Sequence, residues 1–550
     1  MIIGLIGAIC AAGFNVLIGY WVLEPYTTPR MLFISIAGFG LLAAWLISGP
    51  VLHISVPAAQ AALVLLGVWV FCSFMAIRRD IALRHFVTFG FCVFFGLFLV
   101  PAADPVAVIE MLVGVATVSA VIGLLANLGN VQVFPKIRPR KHREVSGMVG
   151  NANAHGAYLA IHAFLAGYLA LYQHPLWAAS LVIILIAIWR ARGLGPVVGL
   201  LAGGLFMTLA LDRSILIRVA LFNGIFFFAW WLVEHMRSNP RVSIRERRHY
   251  WRVAWEMFAE SPLWGTGFAS FPIRVPFIQR ALNDSTRGEF LKKENYAASW
   301  PELAHNDFLQ ALTDNGTMGM AALIVMGVLC GDAVISGIRD PLVVFAGAAL
   351  VSFLASGLTW HLFYVLPANM TVWCLVGMLL KTSAPWSVDV GPYWSFLALV
   401  PLGSIIWMYV VRHAAFLVHM LRYFKGGDVD YLKRALRLEP HSTFANQHAV
   451  LYCWRHGQYE TAYTHAITAL QHYDGNQQIW RLWTSLGNIC RQHGSLTLAN
   501  AAFNEALKFL PWFDLALIGR EQLKETVVRI RAVTKDLAGN EGEEEQGGRK

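Results

Sequence analysis

The chain has 550 residues, 57% of them hydrophobic and only 14% charged, where an ordinary soluble protein carries about 25% charged residues. With a mean hydropathy of +0.54, this excludes a soluble globular protein and makes the chain a polytopic membrane protein. The net charge of +10 would raise nucleic acid as a partner of a soluble protein; in a membrane chain it points instead to lipid headgroups or an anionic substrate.

A membrane span needs about 20 apolar residues. Such stretches fall at roughly 2–20, 31–48, 57–76, 85–101, 106–127, 155–173, 175–190, 194–211 and 215–234, then at 317–338, 341–359, 361–381 and 394–421. The expected fold is all-α: a polytopic transmembrane helix bundle of about 12–13 spans, a long loop between spans nine and ten, and a C-terminal helical-repeat domain. The first span starts at Met1 without a basic region or a small-residue cleavage site, so it reads as a retained helix. The seven cysteines show no C-x2-C spacing, and neither a metal nor a disulfide is expected.

The connecting loops differ in charge. Arg78, Arg79 and Arg84 follow the third span, and Lys136, Arg138, Arg140, Lys141 and Arg143 the fifth. Arg190 and Arg192 follow the seventh, and Arg237, Arg241, Arg245, Arg247 and Arg248 the ninth. Taken alone, the positive-inside rule puts these odd-numbered loops in the cytoplasm.

Before the sixth span, Gly147-Met148-Val149-Gly150-Asn151-Ala152-Asn153 places two amides beside glycines. They suit hydrogen bonding to hydroxyls, or a helix N-cap. The long loop then takes about 80 residues, roughly Arg237 to Thr317, where short turns would serve as connections. Arg247 and Arg248 precede an amphipathic stretch with Trp251, Ala254, Trp255 and Phe258. Arginine holds phosphate through bidentate, charge-assisted bonds. Glu260 to Pro272 is turn-rich and aromatic, suited to the membrane interface or to stacking on sugar rings. The loop ends in Trp300-Pro301-Glu302-Leu303-Ala304-His305-Asn306-Asp307-Phe308-Leu309-Gln310. His305, flanked by carboxylates and amides at the mouth of the next span, is placed to take a proton from an attacking hydroxyl. Glu302, Asn306 and Gln310 are candidate binding groups beside it.

After about Arg422 charges return. Gly457 to Leu470 aligns with Gly494 to Leu507, each after a histidine, and Ala435-Leu436 ends like a third unit. This spacing resembles tetratricopeptide repeats, which would lean on the membrane domain or on a partner protein. The expected division is 1–235 N-terminal membrane region, 236–316 long loop, 317–421 C-terminal membrane helices, 422–535 repeats, and 536–550 disordered tail.

Four features occur in a fixed order: Gly150-Asn151-Ala152-Asn153; Arg190-Ala191-Arg192-Gly193; Arg247/Arg248 with Trp251, Ala254 and Pro262-Leu263-Trp264-Gly265-Thr266-Gly267; and His305 to Gln310 continuing to Gly316 and Gly319. Over about 150–340 this resembles the O-antigen ligase and polymerase superfamily of bacterial envelope glycosyltransferases, which includes O-linked oligosaccharyltransferases. The most specific elements are His305-Asn306-x-x-Leu309-Gln310 and the ten residues between His305 and Gly316. The resemblance implies a glycan donor on undecaprenyl pyrophosphate, transferred on the periplasmic side of the bacterial inner membrane without metal, nucleotide or other cofactor. The acceptor it implies is a hydroxyl of lipid A core, of a growing glycan or of a protein. It makes His305 the base and Arg192 and Arg247 the pyrophosphate's partners, with Arg248 a near alternative to Arg247 and Arg190, Asn151, Asn153, Glu302, Asn306 and Gln310 as binding groups. Two departures stand out: Ala191 replaces a serine before Arg192-Gly193, and Asn315 replaces an acid before Gly316. A periplasmic His305 also puts the basic loops in the periplasm, where a face that binds pyrophosphate has to be cationic. An odd span count then leaves the amino terminus cytoplasmic and the repeats periplasmic. Ligase is the first reading, with a polymerase or protein O-oligosaccharyltransferase beside it. From other classes come an anion transporter, which should show paired broken helices, and a catalytically dead scaffold.

Overall fold

The computed structural model describes residues 28–48, 51–128, 145, 147–191, 193–210, 224, 240–290, 303–387, 392–475 and 478–547. The spans expected at 2–20 and 215–234, the basic loop 136–143, and the site candidates Arg192 and Glu302 lie outside the described residues. The chain forms two compact units: Met1–Phe271 with Leu303–Leu421, and Pro272–Glu302 with Arg422–Lys550.

The first unit is a bundle of apolar helices, as the composition requires. It contains α1 (Thr28–Ile47), α2 (Val56–Met75), α3 (Arg79–Val93, running on through Ala102), α4 (Pro105–Leu128), α5 (Ala152–Tyr172), α6 (Trp177–Ala191) and α7 (Leu194–Ala210). The polar helix α8 (Pro240–Glu260) follows, then, after α9 (Phe271–Ser285) of the second unit, α10 (Asp307–Ser336), α11 (Pro341–Gly357), α12 (Leu366–Leu379), α13 (Pro392–Ile405) and α14 (Arg412–Gly426), the last two continuous through 406–411. Among the described residues, seven helices are long and apolar enough to cross a membrane, and α6, α7, α11 and α12 are shorter apolar helices. The chain is a polytopic all-α membrane protein. Two short antiparallel strands, Val51–Ile54 and Lys381–Ser387, pair Leu52 with Trp386.

Local chemistry sets the helix starts. Asp340 caps α11 by accepting the Leu342 N–H at 2.9 Å, with Pro341 in the first turn, where its missing N–H costs nothing. Helix α5 is buried along most of its length and packs on α6, α7 and α11. Its approach segment is pinned by Met148, whose N–H bonds Ser119 Oγ at 3.0 Å and whose carbonyl accepts from Arg30 at 2.6 Å.

Helix α10 is broken at Gly316, with φ 62° and ψ −163°. A break exposes backbone groups that hydrocarbon cannot satisfy, at several kcal/mol each. The turn Pro262–Gly267 supplies the missing partners. Thr266 and Gly267 donate their N–H groups to the carbonyls of Thr313 (2.7 Å) and Asp314 (2.9 Å), while Thr317 and Met318 donate to those of Pro262 (2.8 Å) and Leu263 (3.1 Å). So close a backbone approach leaves no room for a Cβ at Gly265 or Gly316. The aromatic stretch expected at the interface or on sugar is, in its glycine part, the patch over this break. Trp264 packs on Phe71 at 4.6 Å.

The second unit contains α15 (Val429–Leu438), α16 (Thr443–Arg455), α17 (Tyr459–Gln471), α18 (Ile479–Gln492), α19 (Leu496–Phe509) and α20 (Asp514–Gly547). Consecutive helices from α15 to α20 pack as hairpins. Gly457 and Gly494 turn the chain between helices with φ 73° and 83°, the left-handed conformation that ends helices cheaply at glycine. Buried alanines (Ala462, Ala466, Ala469, Ala499, Ala502 and Ala506) let the helices approach closely around Phe503. Helix α9, although part of the long loop, belongs to this unit. Phe277 meets Phe509 edge-on at 5.6 Å and Arg280 pairs with Glu505 at 3.1 Å. Helix α20 runs to Gly547, through a tail that the sequence suggested was disordered from 536. That segment lacks proline and is rich in glutamate, a good helix former.

Gly316→Ala is expected to destabilise the detergent-solubilised protein by about 1–3 kcal/mol through backbone strain alone, with the Cβ collision against the Leu263 carbonyl adding to it. A thermal melt checks this; an unchanged midpoint refutes the account of the break.

Candidate active site

The site grows from the first residues of α10. Asn306 is the N-cap: its Oδ1 accepts the N–H groups of Phe308 and Leu309, both at 3.0 Å. Its Nδ2 donates to the Leu358 carbonyl at 3.1 Å. Next to it, the Asp307 carboxylate accepts the N–H groups of Leu362 (2.8 Å) and Phe363 (3.1 Å). Asn369 Nδ2 holds the Phe363 carbonyl at 2.7 Å. The turn between α11 and α12, which carries Trp360 and His361, is thus tied to the helix start that carries His305.

His305 has φ 53°, a left-handed conformation uncommon outside glycine and worth a look at a functional site. Its ring stacks on Tyr250 at 5.5 Å and 26°, and meets Trp360 at 4.6 Å and His361 at 4.9 Å, both edge-on. Tyr250 comes from α8, and one turn earlier on that helix lies Arg247, only 9% exposed. Arg248 is exposed. Burial, and then the positive charge of Arg247, push the His305 imidazole down to about 4, so it is neutral at pH 7 and able to accept a proton. Burial also lowers Arg247, with Glu246 opposing. Among the described residues no carboxylate forms an ion pair with Arg247. A buried cation without such a pair is suited to an anionic ligand.

The other candidates take varied places. Gln310 accepts the Ala304 N–H at 2.8 Å and donates to both oxygens of the buried Asp314 at 3.1 Å; the Tyr364 hydroxyl also donates to Asp314. The polar groups of Asn306 and Gln310 are thus engaged by the protein itself, fixing the loop that presents His305. Asn151 caps α5, accepting from the backbone of Asn153 (3.0 Å) and Ala154 (3.3 Å). Asn153 Oδ1 lies so close to Gly193 that a Cβ there would stand 2.6 Å away. That brings the Gly150–Asn153 and Arg190–Gly193 motifs together. Arg190 stacks over Trp189 at 4.7 Å. The start of α7, directly after Gly193, reaches the end of α11 just before the turn between α11 and α12: Ser356 Oγ donates to the Gly195 carbonyl at 2.9 Å. Among the described residues, no three His, Cys, Asp or Glu side chains gather as metal ligands.

Tyr250, Trp360 and His361 escaped the sequence reading. Trp360 and His361 sit at the edge of an apolar run read as the start of a span, and nothing local marks them as neighbours of His305.

A helical membrane bundle thus brings a neutral histidine near a buried arginine. Residues 145–324 match the family model described as O-antigen ligase. Over this third of its length the chain is similar to that family. The match spans Asn151, Asn153, Arg190, Arg247 and His305 together. No curated protein matches the chain.

Asp307→Asn replaces an acceptor of two N–H groups by a side chain that can accept only one without a clash. It is expected to cost about 1–3 kcal/mol and to loosen the Trp360 turn. Thermal unfolding and acrylamide quenching of tryptophan fluorescence check this; a variant as stable and as shielded as the parent refutes it.

Proposed function

We propose that the protein transfers a glycan from undecaprenyl pyrophosphate to an acceptor hydroxyl of lipid A core or a related acceptor, at the periplasmic face of the bacterial inner membrane. The observation that carries this reading is the pairing of a half-buried, neutral His305 with the buried Arg247. His305 takes the proton of the acceptor hydroxyl as its oxygen attacks the anomeric carbon. The bond from that carbon to the pyrophosphate oxygen breaks, and the leaving pyrophosphate carries away the electron pair. Arg247, with Arg192, meets the charge that develops there. The reading calls on no cofactor.

An apolar cavity of about 440 Å³ supports a lipid-borne donor. It lies among α10, α11 and α12, is lined by Phe308, Leu323, Met326, Phe353 and Val372, and reaches Asp307 at the site. A polyprenyl chain fits such a lining, whereas a soluble sugar nucleotide would gain nothing from it. Four apolar helical spans follow His305, and an even number returns the chain to its starting side; this reading therefore puts the C-terminal helices in the periplasm. We read these as tetratricopeptide-like repeats able to engage a protein partner. A polymerase or a protein O-oligosaccharyltransferase would use the same chemistry on another hydroxyl.

The test is His305→Ala in a strain lacking the native gene, with lipopolysaccharide and glycoproteins resolved on gels. Loss of transfer by about 10²–10⁴-fold or more is expected, and the band that disappears names the acceptor. Unchanged transfer would sink the base assignment. Arg247→Gln is expected to lower transfer about 10²–10³-fold. It also has a pH signature. Burial and Arg247 both lower the His305 pKa, so His305 remains an active base until the pH falls toward about 4. Removing the positive neighbour makes protonation easier, so the acid limb of the residual activity moves to higher pH. The shift is expected to be under about one unit, because burial is the larger cause. A limb that stays in place, or moves down, counts against Arg247 as His305's electrostatic neighbour.

A further inference from the structure

His361 is the half-buried group beside His305 that this mechanism leaves unused. Its ring lies 4.9 Å from the His305 ring at 67° and stacks on Trp360 at 4.6 Å. Its backbone is held by the N–H groups of the next two residues, which donate to the Asp307 carboxylate. Its Nδ1 is buried and has no hydrogen-bond partner among the described residues. An orphaned buried nitrogen costs about 1–3 kcal/mol and calls for an explanation in a native structure.

Neutral imidazole has one N–H and imidazolium has two. We propose that His361 is a positioning residue for His305, its Nδ1 accepting the N–H on the His305 nitrogen turned away from the acceptor hydroxyl while the other nitrogen takes the acceptor's proton. The proposal rests on the reading of His305 as base. The N–H available to His361 is a neutral donor before transfer and a charged one once the other ring nitrogen takes the hydroxyl's proton, and a charge-assisted bond is about twice as strong as a neutral one. A bond that strengthens as the proton transfers lowers the barrier more than it tightens the ground state. Burial and the neighbouring His305 keep His361 well below the ordinary histidine range, so it serves as an acceptor and not as a second cation. The other charged or titratable groups around the pair are Arg247 and Tyr250 from α8, Asp307 and Asp314 from α10, and Tyr364 from the same turn. Asp307 is held by backbone N–H groups, and Asp314 by Gln310 and Tyr364.

The experiment uses the full-length protein in detergent or liposomes, with glycan transfer followed against pH for the parent, His305→Ala, His361→Phe and His361→Asn. Phenylalanine keeps a ring and removes the acceptor; asparagine keeps an acceptor near the place of Nδ1. The phenylalanine variant is expected to lose about 10- to 100-fold of the plateau rate. Its acid limb should move to lower pH, because an unsupported imidazolium is less stable. The asparagine variant is expected to retain more activity, with its limb near that of the parent. Activity of the phenylalanine variant within about threefold of the parent overturns the inference, as does a plateau loss with an unmoved limb. Should the phenylalanine variant fail to fold, an asparagine variant as inactive as His305→Ala overturns it, and one well above that level with an unmoved limb supports it. If His305→Ala itself transfers glycan normally, the proposed function falls; if His305 is required and His361 is not, only this inference falls.

Discussion

The Asp307 carboxylate, bonded to two consecutive backbone N–H groups of the turn between α11 and α12, is the constraint on which the site depends. A carboxylate buried in a membrane bundle is expensive unless donors surround it. Here its neighbours are backbone donors that cannot move without unfolding the turn. The penalty for losing them makes the geometry stiff. His305 sits two residues before Asp307, while Trp360 and His361 directly precede the two residues it holds. The packing of His305 against these rings follows from one short span of chain on each side. Gly195 of α7 approaches the end of α11 just before this turn, so the segment after Arg192 is registered to the same anchor.

The break at Gly316 complements this. An unbroken α10 would carry Thr313 to Thr317 past the Pro262–Gly267 turn with no free backbone groups to offer. The break releases them, and the turn takes them up. The benefit is a rigid junction between α10 and the chain that follows α8. Because α8 carries Arg247 and Tyr250, the junction fixes how far these residues stand from His305. In paired broken helices of transporters the released groups face a substrate or an ion; here they face the protein's own turn. That use belongs to a scaffold which must hold a loop still.

What could be read from the sequence divides along a physical line. Apolar runs are local and long, so α2, α4, α5 and α11 were legible nearly to their ends. His305 was legible because a dense polar patch at the mouth of a span is conspicuous in an apolar chain. The amides nearby were visible too, but their use was not: an amide reads the same whether it faces a ligand or a backbone. Asn306, Asn151 and Gln310 cap, tie or brace the main chain. Trp360 and His361 come to His305 across more than 50 residues of intervening chain, and composition does not reveal such a contact. The same holds for α9, whose docking on α19 through Phe277 and Arg280 appears in sequence only as a stretch of polar loop.

The charge of the chain takes a more definite meaning from the site. A net excess of ten positive charges can coat a membrane surface without any of them being placed for chemistry, and Arg248, exposed on α8, illustrates that. Arg247, its immediate neighbour, is buried, and its charge reaches His305. One residue's rotation about the helix separates an exposed cation from a buried one near His305. The two effects that act on His305 then cooperate. Burial favours the neutral ring, and so does the arginine, which keeps the base unprotonated without a carboxylate to compete for the anionic leaving group. A carboxylate paired with His305, as in a conventional triad, would raise its basicity but would also repel a pyrophosphate. For the proposed pyrophosphate leaving group, whose charge grows as the bond breaks, a neutral histidine next to a cation is the better electrostatic solution.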